Sequence, residues 1–115
     1  MNTIKYRQWL KYGRFHYWGY LKDDVFVAPC GPNDAAAPSE KFTGLYDKNG
    51  VEIYEGDVIK TSLGVIAVVE WEKAGRFLGF TEKRELVYIG REPLVQVIGN
   101  IHENPELMEA NHEHS

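Results

Sequence analysis

The chain has 115 residues, of which 43% are hydrophobic and 13% aromatic, a composition that favours a folded domain over a disordered segment. This length allows one domain with a modest core. Its single cysteine excludes an internal disulfide. No apolar run approaches the roughly 20 residues that cross a bilayer, and the first residues lack the apolar stretch of a signal peptide. A cytoplasmic protein without membrane contact is therefore expected.

Charge is distributed unevenly. The net charge is −4, yet residues 1–22 carry +5 and the rest of the chain −9. The basic segment has no acid, and its five bases are Lys5, Arg7, Lys11, Arg14 and Lys22. Seven aromatic residues lie between them, a pattern typical of nucleic-acid surfaces. There are two alternatives. The alternation of side chains along strands could bury the rings and leave the bases solvated, or residues 1–22 could dock on the acidic rest of the chain. The net negative charge of the chain favours these two alternatives, because it repels the phosphate groups of a nucleic acid.

The first part of the chain reads as short strands. Residues 1–28 are predicted to form a β-meander with strands at residues 4–9, 15–21 and 25–28. Tyr12-Gly13 and Asp23-Asp24 are the predicted reversals. Gly19 interrupts the second strand and indicates a bulge or a close backbone approach.

Residues 29–41 are predicted to be a linker. They contain three of the five prolines, which argue against a regular element. Cys30 lies in this linker and has no neighbour in sequence that would lower the pKa of its thiol, so no nucleophilic role is expected.

A hairpin is the clearest feature of the central stretch. Asp47-Lys48-Asn49-Gly50 fits a type I turn followed by a glycine with positive φ, and a type I′ Asn-Gly turn is the alternative. Either turn pairs residues 43–46 with residues 51–54. Next, Glu55-Gly56-Asp57 predicts a corner, in which we interpret the acids as turn formers and not as a catalytic cluster.

The remaining strands follow turn signals about every ten residues, as in an all-β barrel or sandwich. The strands are predicted at residues 65–71, 77–81, 86–89 and 94–98. Residues 65–71 are apolar on both faces and are expected to be central and covered on both sides. The stretch from Glu55 to Trp71 is similar to the opening hairpin of SH3-like barrels, so residues 42–103 are predicted to form a small barrel.

The C-terminal part, residues 104–115, is predicted to be a short helix and an acidic tail. Asn104 is a favoured N-cap and Pro105 fits the first helical position, so a helix to about residue 110 is expected. His102, His112 and His114 suggest a metal site, but no second cluster completes the ligand set. We therefore predict no metal and no cofactor.

Three blocks carry a family resemblance: Tyr-Arg-Gln-Trp at residues 6–9, the stretch of residues 42–59, and Val-Ile-Gly-Asn-Ile-His-Glu-Asn-Pro-Glu-Leu at residues 97–107. Together they resemble the YopX family of phage and prophage proteins. The resemblance implies a small, mainly β domain in a bacterial host cell, and it carries over no catalytic residue. Its motif positions are expected to be structural, and they are Gly44, Asp47, Asn49, Gly50, Tyr54, Gly56, Asp57, Gly99, Asn100, Asn104 and Pro105.

No motif of a nucleotide-binding loop, serine hydrolase or zinc protease is present. The leading hypothesis is therefore a non-catalytic binding or adaptor domain that contacts a protein partner or assembles with itself. The residues expected at its partner surface are Arg7, Trp9, Trp18 and Tyr20. One alternative is binding of single-stranded nucleic acid by the basic aromatic segment. The other is a small metal-dependent hydrolase that brings together Asp57, Glu70 and His102.

Overall fold

The computed structural model describes residues 5–73, 75–89 and 95–108. This part of the chain is mainly β, as predicted, and its strands pair antiparallel. Eleven strands are described: β1 (Tyr6–Trp9), β2 (Phe15–Trp18), β3 (Leu21–Lys22), β4 (Val25–Phe26), β5 (Glu40–Tyr46), β6 (Glu52–Tyr54), β7 (Asp57–Lys60), β8 (Ile66–Glu72), β9 (Arg76–Phe80), β10 (Leu86–Val87) and β11 (Gln96–Asn100).

Two sheets form the body of the protein. The first has the strand order β2-β1-β5-β6 and the second β10-β9-β8-β7-β11. In the first sheet β1 lies between β2 and β5, with Arg7 opposite Glu40. The predicted N-terminal meander (residues 1–28) and the predicted barrel region (residues 42–103) therefore share one sheet.

A third element, the arm, projects from β2. The arm is the hairpin of β3 and β4, which forms a two-stranded sheet of its own. The predicted strand over residues 15–21 divides because Gly19, at φ +89°, turns the chain. The predicted Asp23-Asp24 reversal is confirmed, and both residues have positive φ (53° and 67°), as a type I′ hairpin turn requires.

The expected SH3-like barrel is not confirmed. In the described part of the chain, β10 and β11 are the two edges of the second sheet, while β2 and β6 are the edges of the first. No hydrogen-bonded pairing closes either sheet, so these strands form two open sheets. The barrel was inferred from the single hairpin of β7 and β8, which is present but does not determine how distant strands pair.

The hydrophobic core lies between the two sheets. Ile53 comes from β6 of the first sheet, and Ile59, Ala67 and Val69 come from the second. β8 is central, as predicted, because it lies between β7 and β9. The face of the second sheet opposite this core is also covered, since Val58 and Leu78 are almost fully buried there.

Asp47 fixes the central hairpin. The backbone N–H of Gly50 donates to the Asp47 carbonyl (3.0 Å), and Gly50 has φ +80°, so the type I turn with a following bulge is confirmed. The buried Asp47 carboxylate accepts N–H bonds from Asn49 (2.8 Å) and Val51 (2.9 Å) in the turn and from Val97 of β11 (2.9 Å). One side chain thus holds the turn and attaches it to the second sheet.

Residues 106–108 are helical, which agrees with the predicted start. The rest of the predicted C-terminal segment, residues 109–115, lies outside the described residues, as does residue 94, the first of a predicted strand. The Asn104 side chain differs from the expected N-cap. Its Oδ1 accepts from the N–H of Asn100 (3.3 Å), while the Asn104 carbonyl accepts from the N–H of Leu107 (3.1 Å). In the described residues no helix is long and apolar enough to cross a membrane.

Replacing Asp47 by alanine is expected to lower the free energy of unfolding by about 2–4 kcal/mol, because three N–H groups lose their acceptor. Burial alone would raise the pKa of Asp47, but the N–H groups of Val97, Val51 and Asn49 hold the pKa below its ordinary value of 3.8. A lowered native pKa means that this stabilisation is present above about pH 4 and is lost as pH falls further. Urea unfolding at pH 7 and pH 3 measures both effects, with the exposed Glu85→Ala as control. An equal loss at the two pH values would contradict the pH dependence.

Candidate functional site

Four polar side chains form a buried network where the two sheets meet. Arg7 Nε donates to Glu40 Oε1 (2.8 Å), and Arg7 Nη2 lies 2.8 Å from Asp57 Oδ1. Glu40 Oε2 in turn contacts His102 Nε2 at 2.8 Å. Arg7, Glu40 and Asp57 are each less than 8% exposed. These four residues are called the charge network below.

The network draws on both sheets. Arg7 and Glu40 are paired residues of β1 and β5, whereas Asp57 begins β7 and His102 follows β11. The corner at Gly56 brings the second pair into place, since the Gly56 carbonyl accepts from the N–H of Ile101 (2.9 Å). The ion pairs therefore join the first sheet to the second.

Gly56 is required at this corner for two reasons. Its φ of +87° is one that other residues rarely adopt. A Cβ atom at this position would also collide with the Glu40 carboxylate. The predicted corner is thus confirmed, and it serves the network as well as the turn.

Aromatic rings enclose the network. The Arg7 guanidinium lies over the rings of Phe15 (4.1 Å) and Tyr54 (4.8 Å), a contact that is favourable for a desolvated cation. The His102 ring is stacked on Trp9, with centroids 5.2 Å apart and an angle of 9°. The rings hold Arg7 and His102 in place and limit their contact with water.

Burial changes the pKa values of the network. Desolvation lowers the pKa of Arg7, but the Asp57 and Glu40 carboxylates more than offset this and leave it raised. Burial and, to a smaller extent, the charge of Glu40 raise the pKa of Asp57 to about 6, despite the opposing effects of Arg7 and the Tyr54 N–H. Desolvation and the charge of Glu52 raise the pKa of Tyr54. One guanidinium is shared by two buried carboxylates, and at Asp57 the cost of burial outweighs the effect of that guanidinium on the pKa.

Two clefts flank the network. The Arg7 cleft, of about 270 Å³, is lined on one side of it by Arg7, Phe15, Tyr17, Val51, Glu52, Tyr54, Asp57, Val97, Gly99, Asn100 and Glu103. The His102 cleft, of about 410 Å³, is lined on the other side by Ala37, Pro38, Ser39, Glu40, Glu55, Gly56, Val68, Val69, Glu70, Ile101 and His102. Arg7 and Asp57 of the network thus line the first cleft, and Glu40 and His102 line the second.

The residues predicted at a partner surface have different environments. Arg7 is buried and is therefore not part of an exposed surface. Trp9 is partly covered by His102, and Trp18 is stacked on Tyr6 at 4.5 Å. Tyr20 lies at the base of the arm, with the Lys5 ammonium 5.2 Å from its ring. Partner binding by Trp9, Trp18 and Tyr20 stays a prediction.

The family-motif positions lie mainly at turns and at the network. Asp47, Asn49 and Gly50 form the hairpin turn, and Gly44 lies at an irregularity in the pairing of β5 with β6. Tyr54, Gly56 and Asp57 line the clefts, while Pro105 is exposed. A Cβ on Gly99 would meet Asn104, and Asn100 Oδ1 accepts N–H bonds from His102 and Glu103.

Sequence reasoning missed Glu40. It lies at the end of the predicted linker, but it is the first residue of β5 and the centre of the network. Its partners Arg7 and His102 are 33 and 62 positions away, and no local pattern indicates such pairing. The excess of bases in residues 1–22 was the available signal, since Lys5 and Arg7 both pair with acids of the remainder.

The residues of the hydrolase hypothesis are only partly brought together. Asp57 and His102 are linked through Arg7 and Glu40, whereas Glu70 pairs with Arg84 (2.7 Å). Among the described residues no group of three or more His, Cys, Asp or Glu side chains is arranged to hold a metal ion. His112 and His114 lie outside the described residues.

The fold and the site define a small antiparallel β protein whose two sheets are joined by buried ion pairs. The family model described as YopX protein matches residues 5–109, and the chain belongs to the YopX family. The resemblance that was based on three sequence blocks is thus confirmed over nearly the whole chain.

A solved structure has the same fold. The crystal structure of protein EF1440 from Enterococcus faecalis is 27% identical in sequence and has a TM-score of 0.62. The match covers 94% of this chain and 99% of that one. A comparison with curated proteins finds no significant match.

Replacing Arg7 by alanine is expected to lower the free energy of unfolding by about 3–5 kcal/mol, because two buried carboxylates lose their common cation. Arg14→Ala is the matched control, since Arg14 belongs to the same basic segment but is exposed. Its expected loss is below about 0.5 kcal/mol. Urea unfolding at pH 7 measures both, and equal losses would contradict the structural role of Arg7.

The ionisation of Asp57 is expected to lower the free energy of unfolding as pH rises from about 4 to 7. A native pKa of about 6, against an ordinary value of 3.8, means that the native state binds more protons than the unfolded state in this range. At about 1.4 kcal/mol per pKa unit, the change in stability is about 3 kcal/mol. Asp57→Asn removes this titration, so the advantage of wild type over the variant is expected to be larger at pH 4 than at pH 7. An advantage that grows with pH would show that Arg7 lowers the pKa instead.

Proposed function

We propose that this YopX-family protein is a non-catalytic binding domain of phage or prophage origin, and that the arm is its contact with another protein chain. A second copy of the chain is one candidate for that partner. The observation that carries the proposal is an exposed apolar pair on the arm. Leu21 and Phe26 are opposite each other in the β3–β4 pairing, yet they are 68% and 57% exposed.

The arm contributes little to the core. It is a two-stranded sheet outside both body sheets, and a hairpin of this size is marginally stable alone in water. Its side chains at Leu21 and Phe26 share one face because they are cross-strand neighbours, and Val25, 66% exposed, adds apolar surface on the other face. Apolar surface of this kind on both sides of a projecting hairpin is typical of a protein contact.

The charge network supports a structural role for the acids. Glu40 and Asp57 are each bonded to Arg7, and Asp57 Oδ2 also accepts from the Tyr54 N–H (2.8 Å). These groups join the two sheets, as expected of residues that determine the fold. This assignment supports a non-catalytic protein over the hydrolase alternative.

The nucleic-acid alternative has less support. Arg7 is buried and Lys5 is paired with Glu52, so two of the five bases in residues 1–22 are engaged within the chain. The exposed bases that remain in this segment are Lys11, Arg14 and Lys22. The packing of Lys5 and Arg7 instead supports the alternative in which the basic segment docks on the acidic remainder. We propose a cytoplasmic location on the composition of the chain alone.

A photo-crosslinking residue at position 26 tests the proposal in cells that naturally produce the protein. We expect a discrete adduct heavier than the 13.2 kDa chain, because the Phe26 side chain would lie against the partner. The matched control is position 63, since Leu63 is apolar and 88% exposed but lies in the turn between β7 and β8.

Mass spectrometry of the adduct identifies the partner. A second copy of the chain supports self-assembly, and a different protein supports an adaptor. No adduct from position 26, or the same adducts from positions 26 and 63, would overturn the assignment of the arm as the contact surface.

A further inference from the structure

We propose that the Arg7 cleft is a binding site for a single cationic group, a guanidinium or an alkylammonium, presented by the side chain of a partner. The cleft and the arm are different surfaces, so this site is independent of the arm contact. The proposal is based on the size of the cleft, the rings in its wall and the balance of charge around it.

The cleft has the size of one side chain. Its volume of about 270 Å³ is slightly below the range of roughly 300–1,000 Å³ that is usual for small-molecule sites. It is concave and formed by both sheets, with Phe15 and Tyr17 from β2, Tyr54 from β6 and Asp57 from β7. An extended arginine or lysine side chain is the kind of group that enters such a space.

The rings in the wall are arranged to receive a cation. Tyr17 lies between Phe15 and Tyr54, with its ring centroid 6.1 Å and 5.5 Å from theirs, and it is 39% exposed. The faces of aromatic rings attract cations. Arg7 demonstrates this chemistry within the cleft, since its guanidinium already lies over Phe15 and Tyr54. Tyr17 adds a ring that is accessible from outside.

The charges around the cleft favour a second cation. Three acids line the cleft, namely Asp57, Glu52 and Glu103, whereas Arg7 is the one base that lines it. Arg7 is shared by Asp57 and Glu40, and Lys5 is paired with Glu52 at 2.9 Å. Glu103 is exposed and accepts an amide N–H bond from Asn100 at 3.0 Å. The surplus of negative charge attracts a cation and repels an anion. Because it is exposed, Glu103 is the carboxylate that we assign to the incoming group.

Nuclear magnetic resonance titration of the full chain tests the site. The probes are N-acetyl-arginine amide and N-acetyl-lysine amide, with N-acetyl-glutamine amide as the neutral control. We expect saturable shifts for the cationic probes, confined to residues that line the cleft and weakened by salt. Glu103→Gln is expected to weaken binding about fivefold, the effect of one partly exposed charge pair.

Two further variants make the test specific. Tyr17→Ala removes the accessible ring and is expected to weaken binding by a similar factor, because a cation–π contact at an exposed site has a similar strength. Glu85→Gln removes an exposed acid of another loop and is expected to leave binding unchanged. The proposal is overturned if no saturable shift occurs up to about 10 mM probe, if the glutamine probe binds equally, or if Glu103→Gln and Glu85→Gln have the same effect.

Discussion

The sharing of one guanidinium between two buried carboxylates determines how this protein is assembled. Arg7 comes from a strand of the first sheet, and its partners Glu40 and Asp57 come from different sheets. A buried ion of either sign is costly unless it is paired with good geometry. The two sheets must therefore meet in a register that places all three groups within hydrogen-bonding distance. The alternation of the strands positions the apolar side chains, and the charge network adds a geometric requirement to how the sheets are joined.

The same interaction explains the uneven charge of the sequence. A basic opening segment and an acidic remainder would be unusual if both were simply solvated. In the folded chain Lys5 and Arg7 are paired with acids from the remainder. Part of the segregation in sequence thus becomes packing within one molecule, and three exposed bases, Lys11, Arg14 and Lys22, remain.

Features that depend on a few adjacent residues were predicted well from the sequence. The turn at Asp47–Gly50 and the reversal at Asp23-Asp24 are determined by local hydrogen bonds and by which residues accept positive φ. The fold class follows from many such signals in series. Sheet order was not predictable in this way, because β1 pairs with β5 across the linker and β11 pairs with β7. The barrel analogy is not confirmed at this level.

The candidate site was the least predictable part for the same reason. Arg7 was assigned to a surface, since a charged residue on an alternating strand usually faces water. Its burial depends on Glu40, Asp57 and the rings of Phe15 and Tyr54, none of which is adjacent to it in sequence. Glu40 was assigned to a linker because prolines precede it, although the chain resumes a strand at that residue. A single sequence does not report such distant partners.

The ratio of one guanidinium to two carboxylates in the charge network also affects the Arg7 cleft. If Arg7 had one carboxylate partner, the charges of that pair would balance, and only Glu52 and Glu103 would add negative charge to the cleft. With two partners the junction holds a surplus carboxylate. Burial, with a smaller contribution from the charge of Glu40, raises the pKa of Asp57 to about 6 although Arg7 opposes this. Protonation of Asp57 would relieve this surplus, whereas a second cation in the cleft would balance it. Arg7 and Asp57, which join the two sheets, also line the cleft, so the same ion pair contributes to the assembly of the fold and to the charge of this surface.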